Sequence, residues 1–101
     1  MLSREDFVFS IGYDGPAAVV DNQARRKYGR LSTRELVEKG LFRAAYSSAV
    51  YSKDPQEQRF VAEAYHKLKG IPPADISDAD IAALGRLFGV FQVEVKRSVY
   101  I

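Results

Sequence analysis

The chain has no cysteine, no tryptophan and a single histidine in 101 residues. Without cysteine there is no disulfide framework and no thiolate to hold a metal or attack a substrate, and the chain is compatible with any redox compartment. With one histidine, acid–base work would have to pair His66 with a carboxylate such as Glu63, one helical turn earlier. Any exposed helix shows that spacing by chance. Ser47 and Ser48 lie outside a Gly-x-Ser-x-Gly elbow, and Gly12, Gly15 and Gly29 form neither a phosphate loop nor a dinucleotide fingerprint. No window reaches the ~18 uninterrupted apolar residues of a membrane span. The opening Met1-Leu-Ser-Arg-Glu-Asp-Phe is charged where a signal peptide needs an apolar run. The expectation is a cytoplasmic protein with no membrane contact, no cofactor, no metal and no catalytic apparatus.

What the chain does have is an ordinary globular balance: 47% hydrophobic, 28% charged and 12% aromatic residues, far from the signature of disorder. At this length one domain spanning residues 1–101 can bury roughly two thirds of its unfolded surface, and two cores cannot form.

Between Phe7 and Tyr13 the residues Phe7, Phe9, Ile11 and Tyr13 alternate with Val8, Ser10 and Gly12, which predicts a strand with one buried face. Asp14-Gly15 then suits a tight hairpin turn, and Pro16 followed by Ala17–Val20 reads as the returning strand. Asp21 caps a short helix over Asn22 to Tyr28, with Gly29 as its left-handed stop. Ser32-Thr-Arg-Glu35 is a capping box that opens a helix running to Gly40. Phe42, Ala45, Tyr46, Ala49 and Val50 recur at helical spacing to about Tyr51, with Ala44, Ser47 and Ser48 small enough for close packing. Asp54-Pro55 starts the helix with the clearest stripe, Phe60, Val61, Ala64, Tyr65 and Leu68, which ends at Gly70. Ser77 or Asp78 opens a last helix, striped by Ile81, Leu84, Leu87 and Phe88 and closed by Gly89. From Phe91 to Ile101 apolar and polar residues alternate again, with Phe91, Val93, Val95, Val99 and Ile101 on the apolar face and Arg97 as its exception.

Because a two-stranded hairpin alone is marginal in water, the C-terminal strand is expected to join it. The predicted fold is α+β: a small three-stranded, mostly antiparallel sheet, made of the N-terminal hairpin plus the C-terminal strand, with four or five helices packed on one face. The other face, bearing Val8, Ser10, Gln92, Glu94 and Lys96, would be wet, and the chain ends would be neighbours.

Charge is unevenly spread. Net charge is +2, yet Arg25, Arg26, Lys27, Arg30, Arg34, Lys39 and Arg43 face only Glu35 and Glu38 within their segment. Phosphate contacts need several cations gathered on one face, so Arg25, Arg26, Lys27, Arg30, Arg34 and Arg43 are the candidate polyanion-binding residues. The first three also fit the blander role of cations at a helix C-terminus. Thr33 to Gly40 followed by a second helix shares the layout of DNA-binding helix pairs, but Phe42 to Tyr51 is too small and apolar to read base edges. Asp75, Asp78 and Asp80 lack the glycine and distant glutamate of a calcium loop and are better explained as helix-start acids. Six tyrosines are many for this length, and such rings are enriched where surfaces meet, although wet hydroxyls at a core boundary account for them too. The functional expectation is a non-catalytic binding or assembly module, engaging a protein partner or a second copy of itself. Nucleic-acid binding through the basic segment is the alternative.

Overall fold

The computed structural model describes residues 3–70, 72, 76–90 and 97–101. Its order is α1 (Arg4–Val8), β1 (Ser10–Asp14), β2 (Ala17–Val20), α2 (Asn22–Tyr28), α3 (Thr33–Glu38), α4 (Phe42–Ser52), α5 (Pro55–Leu68), α6 (Asp78–Phe88) and β3 (Arg97–Tyr100). This is an α+β domain in which six helices pack around a three-stranded sheet, one helix more than the sequence pattern suggests. None of the described helices is long and apolar enough to cross a membrane.

The extra helix corrects the first strand. Ser3 caps α1 by accepting from the Asp6 amide, and Glu5 and Asp6 occupy its first turn. Asp6 through Ser10 are all buried, a run that no strand with one wet face can supply, so Val8 and Ser10 belong to the interior and not to solvent. The strand proper begins only at Ser10.

Gly15, with φ +58°, makes the turn that folds β1 onto β2, and the ladder runs antiparallel from Ser10↔Val20 to Asp14↔Ala17. Ile11 is the extra residue of a bulge between Ser10 and Gly12, which increases the local twist. β2 lies in the centre, and β3 joins it in parallel, Val19 opposite Val99 and Val20 opposite Tyr100. In this register Val20, Ala18, Ser98 and Tyr100 share one face of the sheet, and Val19 and Val99 share the other. The expected inward set on the last strand is therefore reversed: Val99 and Ile101 are exposed, while Ser98 and Tyr100 reach α1. The expected strand residues Phe91 to Lys96 lie outside the described residues.

Helix boundaries follow their local chemistry. Asp21, Ser32, Asp54 and Ser77 cap α2, α3, α5 and α6, and Ser32 with Glu35 and Ser77 with Asp80 form complete capping boxes. Gly40, Gly70 and Gly89 take positive φ after α3, α5 and α6. Gly29 does not: its φ is −62°, and a left-handed stop is not what it provides. A Cβ there would collide with the Arg25 carbonyl oxygen in the last turn of α2 itself, so the glycine lets the chain leave that helix tightly, with Glu5 Cγ of α1 next nearest.

α4 is the axis of the core. Ala44 through Val50 are all buried, with α1, α3 and α5 against it. Its small residues let those neighbours approach, and the fully buried Val8, Val20, Leu36 and Val61 close around it. Each such side chain contributes roughly 1.5–3 kcal/mol by leaving water. α5 departs from its predicted stripe. Val61 and Ala62 are buried and Phe60 and Tyr65 half-buried, but Leu68 is 67% exposed because the last turn projects beyond its neighbours. Leu87 on α6 is likewise exposed, and Leu84 takes the core position.

Candidate functional site

The basic segment does not converge. Arg25 turns toward the chain ends: its guanidinium bonds Asn22 Oδ1 at 2.9 Å, stacks 4.9 Å from the Tyr100 ring and lies 3.8 Å from Asp6 Oδ1. Arg34 covers the Phe60 ring at 4.4 Å, in a hollow it shares with Asp54 and Glu57. Arg43 points to the C-terminus of α6, where Nε donates to the Phe88 carbonyl at 2.7 Å. Arg26 and Lys27, in the last turn of α2, and Arg30 just beyond it are exposed and have no carboxylate partner among the described residues. Lys27 also lies over the Tyr28 ring at 5.3 Å.

The Asp80 carboxylate accepts from the Ser77 amide at 2.9 Å and its hydroxyl at 3.0 Å, and those bonds hold it below the usual carboxylate range. Asp75 lies outside the described residues. The burial of α4 from Ala44 to Val50 leaves it no face to enter a DNA groove. Ser47 and Ser48 are in the core. The Thr33 and Ser48 hydroxyls bond at 2.8 Å, and Ser47 Oγ is buried without a partner. His66 is half-buried, its Nδ1 buried and unpartnered, with the Tyr65 ring 6.2 Å away. Of the tyrosines, Tyr65 packs edge-on against Phe42 and Phe88, and Tyr46 donates to the Ile81 carbonyl at 3.2 Å. Burial pushes the Tyr46 phenol pKa up.

A polar clasp joins the two ends of the described chain. Asp6, 7% exposed, accepts from the Ser98 hydroxyl at 2.9 Å and from the Tyr100 hydroxyl at 2.7 Å through the same oxygen. The bond to Asp6 raises the Tyr100 pKa above the ordinary phenol value. The Ser98 and Tyr100 hydroxyls are thereby turned toward α1, while half of Tyr100 stays exposed, and the opposite face of β3 carries Val99, 40% exposed, with Ile101 beyond it at 67%. Across the sheet Val99 continues the row of Val19 and Gly12, beside the bulged and exposed Ile11. Among the described residues β3 is paired on its β2 side alone.

Besides the hollow beside Arg34, two larger grooves lie among the described residues. The larger, about 850 Å³, runs between α4, α5 and α6, and Asp78 lines it as well as Arg59 and Arg86, with Arg59 bonded to Glu63. The smaller, about 560 Å³, lies where the hairpin meets the end of α6, lined by Ile11, Gly12, Tyr13, Gly15, Arg43 and residues 86–89. Sequence reasoning singled out Arg43 but not Arg86, which the chain order separates from it and only the packing of α6 brings near. No family model, curated protein or solved structure matches the chain. Function is therefore read from these surfaces themselves.

Proposed function

We propose that this chain is a non-catalytic assembly module that works by protein–protein contact, with the β3 edge of its sheet as the contact and a second copy of itself as the partner. The observation that carries this reading is the outward row Val99 and Ile101 on a strand paired on one side among the described residues. An antiparallel pairing of two β3 strands about Val99 sets Val99 against its own copy and Arg97 against Ile101, so no like charges oppose each other. That self-complementarity is what a two-fold interface requires.

The test is light scattering of the purified protein at low and moderate salt. The reading expects a salt-insensitive dimer that Val99→Lys converts to a monomer with the circular-dichroism spectrum of the folded wild type, and a wild-type melting temperature that rises with protein concentration while the variant's does not. A wild-type chain that stays monomeric at high concentration refutes it.

The second reading, polyanion contact, draws on Arg26, Lys27 and Arg30 alone. Three phosphate contacts would weaken binding to a DNA duplex roughly 40-fold between ~50 and ~200 mM salt. Arg26→Glu with Arg30→Glu would abolish it.

A further inference from the structure

We propose that the groove between the hairpin and the end of α6 binds an acidic peptide segment, its carboxylates taken by Arg43 and Arg86. The proposal extends protein contact to a second surface and does not depend on pairing at β3.

Arg43 is the anchor. A guanidinium has five N–H donors, and Arg43 spends one of them, Nε–H, on the Phe88 carbonyl. That bond fixes the plane of the fork and also satisfies a carbonyl at the end of α6. The two Nη groups make no hydrogen bond or carboxylate pair among the described residues, and half-burial pushes the Arg43 pKa below its usual value, with the nearby Tyr13 phenol acting the other way. A bidentate carboxylate would offset that loss. Arg86 lines the same groove, is exposed, and likewise has no carboxylate partner among the described residues. No acid lines the groove at all among those residues, unlike the larger cleft, which contains Asp78.

The margins point to a peptide. Ile11 and Leu87 line the groove and are 51% and 61% exposed, and Tyr13 and Phe88 line it too. An acidic segment with apolar neighbours matches a lining that mixes cations with hydrocarbon. A nucleic-acid backbone asks for a longer run of cations than these two.

The experiment is fluorescence anisotropy of a short, capped, labelled peptide of mixed Glu and Leu, with a Lys and Leu peptide of equal length as control. It is run on the wild-type chain and on Val99→Lys, so that failure here is separate from failure of the β3 contact. Saturable binding of the acidic peptide alone is expected in both. Arg86→Glu, at an exposed position, should weaken it at least about tenfold, and Arg43→Lys should weaken it while keeping the charge. Arg26→Glu with Arg30→Glu should leave it within about twofold. The proposal is overturned if the acidic peptide does not saturate, if Arg86→Glu has no effect, or if a single-stranded oligonucleotide of equal charge binds the same groove more tightly.

Discussion

Replacing Arg4 by alanine should be among the most damaging changes to this fold, although the side chain is only partly buried. Its Nη1 donates to the Gly29 carbonyl at 3.2 Å, and its Nη2 donates to the Leu31 carbonyl at 2.8 Å and to Ser48 Oγ at 2.9 Å. One guanidinium thus ties α1 to the α2–α3 connection and to the central helix. Hydrogen bonds from a charged donor contribute about 1.5–3 kcal/mol each, and because these three share one partly solvated group, about 3 kcal/mol for the set is a fair value. At roughly 4–5 °C per kcal/mol for a domain of this size, the melting temperature should fall by about 13 °C. Arg4→Lys keeps the charge but, as a point cation, cannot span three acceptors, and should recover no more than about a third of the loss. Thermal melts followed by circular dichroism read both variants. A drop of under about 2 °C for Arg4→Ala, or full recovery by lysine, would show that the fork does not hold these elements together.

Three further outcomes follow from the same packing. Leu36→Ala, at a fully buried site, should cost about 2–5 kcal/mol in urea unfolding, whereas Leu68→Ala should stay within about 0.5 kcal/mol. Gly29→Ala should cost about 1–3 kcal/mol because the added carbon meets backbone, which cannot swing aside. The Tyr100 phenol titrates above its unfolded value of about 10, so its contribution is intact below that pH and is lost as pH rises through the folded value. Melting temperature measured from about pH 8 to 12 should therefore fall more steeply for wild type than for Tyr100→Phe.

Local signals in the sequence were translated faithfully into structure. The caps at Asp21, Ser32, Asp54 and Ser77 and the glycine stops at 40, 70 and 89 sit where side-chain and backbone chemistry put them, because each depends on residues within one turn. The spacing Ser3-x-x-Asp6 was the same kind of signal, and reading it would have uncovered α1. The alternation of Phe7, Phe9, Ile11 and Tyr13 masked it, since a period of two cannot distinguish a strand from a short buried helix running into one. Leu68 shows a second limit: periodicity names the apolar face of α5 but not how far its neighbours extend along it. The small groove was hidden for a third reason. Tyr13, Arg43 and Arg86 come from three distant segments, and no spacing in the chain encodes their meeting.

The clasp between Asp6 and Tyr100 spans 94 residues of chain. During synthesis the hairpin emerges before the helices α2 to α6, and the strand that covers the far side of β2 is the last described element to appear. Until then β2 presents an open edge, and a ladder closed over so long a loop forms only after the intervening helices have shortened it. Nascent chains crowded on one messenger would thus face each other with the sheet unfinished. Translation speed through the helical middle sets how long that exposure lasts.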